Sequence, residues 1–393
     1  MMKKKIVLAV LCLLLAVTAV LRSYADAIPG VQAAGVQDFD VPCAAAVLID
    51  EDSGTVLYEK NADERRPVAS ITKVMTLLLT FEALQAGKIA LGDIVPVSEH
   101  AYHMGGSQIW LEPGEQLTLQ EMLKAVCISS ANDAAVAVAE FVAGSEPAFV
   151  DAMNARAAAL GMTATHFANA CGLDEEGHLS SARDVAVMSR EMLLHHPEVR
   201  EYCTVWMDTL RGGKTQLVNT NKLLKSYPGI TGLKTGTTGK AGVCIAASAE
   251  RDGLRLIAVV LGASSGKERF EAAKTLLDYG FAHYDSAEVT LPDDAPEELP
   301  VKRGTAETTA LDYAAPERLL VPKGEGRDLQ TKILLPDTLQ APVQQGSPVG
   351  SWQLLRGETV LQELPICAAQ DVQALSFGYC LRYLVHTVLP GGV

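Results

Sequence analysis

"GLKTGTTGKAGVCIAASAERDGLRLIAVVLGA", residues 232–263, holds three strand-like segments in a row. "AGVCIAASAE" and "LRLIAVVLGA" are apolar runs of strand length, and Arg251-Asp252-Gly253 between them predicts a tight antiparallel turn. "KERFEAAKTLLDYGF", residues 267–281, predicts a closing helix. Far upstream, residues 45–49 and 55–58 flank Glu51-Asp52-Ser53-Gly54 and read as a second hairpin. The chain between the two hairpins is helical in pattern. "SITKVMTLLLTFEALQAG", residues 70–87, ends on Gly87 as a C-cap. Thr118 and Glu121 form a capping-box pattern before "LQEMLKAVCI". Further helices are expected over 134–142, over 147–160 and behind Ser180 or Ser181, the last stopped by Pro197. Strand, helices, strands and helix in that order predict an α+β fold, an antiparallel sheet with helices on both sides.

The rest of the 393 residues extends this picture. Near Tyr284 the composition turns acidic and proline-rich, and short β-like runs follow up to about residue 370. They predict a small all-β domain over 285–370, after a larger domain over 38–284. Residues 372–389 carry Phe377, Leu381, Leu384 and Val388 on one helical face, with Arg382 and His386 opposite. An amphipathic tail of this kind fits a membrane interface or packing on the β domain, and few lysines or arginines support the former. At the N-terminus, "MMKKK", an apolar run over 6–21 and "ADA" at 25–27 read as an export signal over 1–27. A net charge of -14 excludes the basic footprint of a nucleic-acid binder. Of eight cysteines, Cys12 falls in the export segment, and the other seven are scattered without a C-x-x-C pair. A zinc site is not expected, and one disulfide pair remains open without being assignable.

The start of the 70–87 helix poses a chemical question. Ser70 and Lys73 are three apart, so a helix puts both side chains on one face. A serine hydroxyl needs a base within hydrogen-bond reach to become a nucleophile. A buried lysine can be that base, because burial favours the neutral amine. The helix N-terminus adds N–H groups for a developing oxyanion. A capping serine with a solvated lysine has the same spacing, and S-x-x-K alone does not separate the two. Two more triplets do. Ser130-Ala131-Asn132 breaks two helices, and Lys234-Thr235-Gly236 lies on a strand where glycine admits a close backbone. S-x-x-K, S-x-N and K-T-G in this order are a penicillin-binding signature.

With these triplets, "GSQIWLEPGEQLTLQEMLKAV" and "GLKTGTTGKAG", the chain resembles the serine-type D-alanyl-D-alanine carboxypeptidases. These are the low-molecular-mass penicillin-binding proteins of peptidase family S11, and the resemblance spans about residues 40–283. It implies a β-lactamase/transpeptidase-like catalytic domain. It implies that Ser70 attacks the bond between two terminal D-alanines of a peptidoglycan stem peptide, with Lys73 as base and Ser130 as proton relay. Asn132, Lys234, Thr235, Gly236, Thr237 and Arg269 are then expected to bind substrate, with the N–H groups of Ser70 and Thr237 as oxyanion hole. No metal or organic cofactor is expected, β-lactams are expected inhibitors, and the site is expected outside the cytoplasm. Three positions depart from the family pattern: Ala131 for glycine, Thr237 for histidine, and Ala170-Cys171 in "NACGLDEEGHLS". Cys171 and His178 are read as structural.

Rival readings are weaker. A class A β-lactamase needs an E-x-x-L-N element between the second and third triplets, and residues 133–233 contain none. A crosslink-cutting endopeptidase often lacks the β domain. A large transpeptidase usually carries a longer N-terminal region. A non-catalytic wall-binding module predicts loss of Ser70, Lys73 or Lys234, and all three are present.

Overall fold

A computed structural model describes residues 39–313, 318–326 and 329–388. The export segment expected over 1–27 lies outside them. The chain divides into a unit ending at Ser286 and a unit beginning at Ala287.

The first unit is built on the two hairpins. Strands β1 (Ala45–Asp50) and β2 (Val56–Lys60) form one. Strand β3 (Ile230–Thr238) pairs with β4 (Gly242–Arg251), which turns back into β5 (Leu254–Ala263). Asp252 and Gly253 both have positive φ, 49° and 79°, the two-residue turn whose twist matches paired strands. The sheet order is β2-β1-β5-β4-β3, antiparallel throughout. It joins the N-terminal hairpin to the late one through β1 and β5.

Alternation along β1 and β5 explains the helices on both faces. Ala45, Val47 and Ile49 pair with Leu261, Val259 and Ile257, and all six lie in one large core cluster. That cluster holds helix α1 (Lys73–Gln85), helix α3 (Asn132–Ala143) and helix α5 (Ala182–His195), together with parts of α2 (Leu119–Lys124) and α4 (Glu146–Ala159). The alternate residues Leu48 and Leu256 face helix α6 (Gly266–His283), where a Cβ at Gly280 would come within 2.4 Å of Leu256 and 3.2 Å of Leu48. The helix ends follow their signals. Gly87 takes φ 66°, and Lys88 N–H donates to Ala83 O while Gly87 N–H donates to Leu84 O, a Schellman end. Thr118 and Glu121 form the expected capping box, and Ser181 caps α5. The helix expected from 134 begins two residues earlier, at Asn132.

The second unit is all-β apart from one terminal helix. Its main sheet has strands β6 (Glu298–Lys302), β7 (Thr308–Tyr313), β8 (Leu329–Leu334), β9 (Leu339–Gln340), β10 (Pro348–Arg356) and β11 (Thr359–Ala368). Their order is β8-β10-β11-β7-β6-β9, with only β6 and β9 parallel. Trp352, Leu354 and Ile366 form its core with Val289. Helix α7 (Phe377–Val388) follows. Every cysteine among the described residues is a free thiol.

Candidate active site

Ser70 stands on a 3-10 turn, Ala69–Thr72, directly before α1. Ala69 is held at φ 51°, a conformation that a non-glycine residue adopts at a cost. Two glycines make room for that turn. A Cβ on Gly236 would lie 2.9 Å from Ser70 N and from Val68 O. One on Gly172 would lie 2.0 Å from Ala69 O. Strand β3 and the loop carrying Gly172 therefore clamp the serine turn from two directions, and neither place admits a side chain.

The lysine answers the sequence question. Lys73 is fully buried, and its Nζ lies 3.0 Å from Ser70 Oγ, 2.5 Å from Asn132 Oδ1 and 2.7 Å from Cys171 O. Burial lowers its pKa to about 8. A neutral amine has two N–H bonds and one lone pair. With Asn132 Oδ1 and Cys171 O accepting the two hydrogens, the lone pair is left for the Ser70 hydroxyl. Asn132 Nδ2 donates to Gly105 O at 2.7 Å, so both ends of that amide are already engaged.

Ser130 follows a π-helical turn, Ala125–Ser129, and sits at φ 60°, which breaks the helix and starts α3. Lys234 Nζ donates to Ser130 Oγ at 2.8 Å and to Thr235 O at 2.9 Å. Its pKa is drawn down to about 7, by burial first and by Lys73 second. Thr235 Oγ1 donates to Thr220 Oγ1 at 2.6 Å. Arg269, on α6, reaches the end of β3: its Nη1 donates to Cys244 O at 3.1 Å and to Gly236 O at 3.3 Å, and approaches Thr237 Oγ1 at 3.4 Å. The structure thus gathers Ser70, Lys73 and Asn132 in one cluster, Ser130, Lys234 and Thr235 in a second, and Gly236, Thr237 and Arg269 in a third along β3.

Two participants carry no sequence signal of their own. Cys171 contributes its backbone carbonyl, which any residue type supplies, while burial raises its thiol pKa. His178 Nδ1 accepts from Ala168 N–H at 3.0 Å, which leaves Nε2 to donate to Thr72 Oγ1 at 2.7 Å. Burial lowers its pKa to about 4, so it stays neutral and pins the Cys171 loop to the serine turn. Among the described residues no cluster of histidine, cysteine and carboxylate side chains fits a metal ion.

Comparison with known proteins identifies the family. Residues 31–265 match the model of the peptidase S11 D-alanyl-D-alanine carboxypeptidase family. The chain belongs to that family. Residues 284–374 match the C-terminal domain of penicillin-binding protein 5. D-alanyl-D-alanine carboxypeptidase DacF of Bacillus subtilis (strain 168) is 45% identical over 337 residues, 85% of this chain and 86% of that one. Penicillin-binding protein 5 from Haemophilus influenzae superposes with a TM-score of 0.75 at 30% identity, covering 86% of this chain and 100% of that one. Penicillin-binding protein D2 from Listeria monocytogenes, solved in a cefotaxime-bound form, matches 63% of this chain and 100% of its own with a TM-score of 0.58 at 32% identity. This D-alanyl-D-alanine carboxypeptidase pairs the S11 catalytic fold with the all-β unit of the penicillin-binding protein 5 type.

Proposed function

We propose that Ser70 is the nucleophile that removes the terminal D-alanine from peptidoglycan stem pentapeptides, through an acyl-enzyme. The observation that carries this is the Lys73 amine, 3.0 Å from Ser70 Oγ with its two hydrogens committed elsewhere. Lys73 takes the hydroxyl proton as Ser70 attacks the carbonyl between the last two residues. Ser130, bonded to Lys234, relays that proton from Lys73 to the departing amine of D-alanine, which returns Lys73 to its neutral form. Lys234, Thr235, Thr237 and Arg269 present cationic and hydroxyl donors to the terminal carboxylate. Ser70 N–H, with Thr237 N–H next along β3 after the closely approaching Gly236, forms the oxyanion hole. Asn132 serves first to orient Lys73, and it meets the substrate amide only by exchanging its bond to Gly105. Water then hydrolyses the ester, and Lys73 again accepts the proton. A β-lactam, whose strained amide stands in for the scissile bond, acylates Ser70 in the same way.

This activity belongs outside the cytoplasm, where stem peptides are. Among the described residues no helix is long and apolar enough to span a membrane. Helix α7 instead supports a surface contact: Phe377 is 83% exposed and Leu381 and Leu384 are more than half exposed, so this apolar face is not packed on the β unit. The activity test is D-alanine release from diacetyl-Lys-D-Ala-D-Ala by the purified chain and by Ser70→Ala. The expected result is release by the native chain and a loss of about a thousandfold or more in the variant. Equal release by both removes Ser70 from the chemistry.

A further inference from the structure

Trp110 is 75% exposed and holds a left-handed backbone at φ 58°. A bulky residue does not keep that conformation unless its neighbours impose it. Here they do. The buried Asp133 carboxylate accepts from Ile109 N–H and Leu111 N–H, on either side of Trp110, at 3.1 Å each. Arg211 donates to Ile109 O at 2.7 Å and to Trp110 O at 3.3 Å, and is itself paired with Glu115. Every backbone bond here fixes the loop, and the indole is left to solvent.

The loop is also continuous with the catalytic cluster. Asn132 N–H donates to Ser107 O at 2.7 Å, Asn132 Nδ2 holds Gly105 O, and Asn132 Oδ1 holds Lys73. Trp110 is three residues beyond Ser107, so its backbone lies within about 10 Å of that contact. A groove beside the indole is lined by Glu112, Glu115, Arg211 and Lys214. A flat apolar face ringed by donors and acceptors of both charges suits a neutral ring with one C–H face and equatorial hydroxyls.

We infer that Trp110 is a platform for the glycan end of the substrate, the sugar ring that carries the stem peptide. The inference rests on the stem-peptide reading of the Ser70 site. Four stem residues separate the scissile bond from that sugar, and extended they reach about 13 Å, long enough to carry the sugar from the cluster to a residue whose backbone lies within about 10 Å of the Ser107 contact. Trp110 then selects substrates still attached to their glycan, and acts on binding rather than on the chemical step.

The test compares one stem pentapeptide with and without its N-acetylglucosaminyl-N-acetylmuramyl disaccharide, using the native chain, Trp110→Ala and Trp110→Phe. The expected result is a KM for the disaccharide form raised roughly three- to tenfold in Trp110→Ala and largely restored in Trp110→Phe. The kcat stays constant, and the bare peptide shows no change. An equal effect on both substrates, or none on either, overturns the inference, the first by assigning Trp110 to the peptide. Should neither substrate be cleaved, the Ser70 reading fails, and tryptophan fluorescence titrated with the disaccharide alone still decides this one. Quenching in the native chain that is absent from Trp110→Phe supports it, and no difference between the two sinks it.

Discussion

Two lysines decide how the site behaves at the scale of single residues. In the proposed mechanism Lys73 works as a base only when neutral, above a pKa of about 8, and Lys234 offers a cation only when protonated, below about 7. Activity therefore rises with pH as Lys73 loses its proton and falls as Lys234 loses its own. The expected kcat/KM profile is a bell with its maximum between pH 7 and 8. The productive form is then a minority of the free enzyme, and a substrate carboxylate enlarges it by drawing a proton onto Lys234. A steady-state pH profile on a short D-Ala-D-Ala peptide checks this. A profile that stays flat from about pH 5 to about pH 10 would exclude both lysines from the rate. The residue identities were legible in the sequence because serine and lysine chemistry depends on the side chain. The carbonyl of Cys171 was not, since a backbone acceptor leaves no mark on residue type. Asn132 was legible as a site residue but not as the partner of Lys73, because only the packed geometry shows which way its amide points.

At the scale of elements, the serine turn is shaped by what crosses it. Gly172, at φ 87°, passes so close to Ala69 O that a methyl group cannot be placed. Gly172→Ala is expected to destabilise the protein by about 3 kcal/mol. It should also displace the Cys171 carbonyl from Lys73, lowering kcat/KM by about a hundredfold. Denaturant midpoints and D-alanine release measure the two effects, and a variant matching the native chain in both contradicts the clamp. The sequence showed this loop only as a departure from a family pattern, because close approach is a property of two segments far apart in the chain. Strands, helix ends and the capping box were legible for the opposite reason. Alternation in β1 and β5, Gly87 and the Thr118–Glu121 pair act within a few residues of themselves.

At the scale of the whole molecule, the proposed site and the proposed surface contact fall in different units. The proposed catalytic groups Ser70, Lys73, Ser130 and Lys234 all lie before Ser286, and the exposed apolar helix α7 lies after it. A chain ending at residue 376 is therefore expected to release D-alanine at the native rate in solution. It should lose co-sedimentation with phospholipid vesicles that the full chain retains. Retention of vesicle binding by the shortened chain would place the membrane contact elsewhere. The order of hairpins and helices foretold the α+β fold, since the sheet is closed by pairing β1 with β5 across the whole catalytic unit.

The most direct measurement is the site of acylation. The full chain is incubated with benzylpenicillin, digested and mapped by mass spectrometry, alongside Lys73→Ala. The account predicts one penicilloyl group, on Ser70, formed by the native chain and far more slowly by the variant. An adduct on any other residue, or equal rates for the two chains, would contradict the claim that Lys73 activates Ser70.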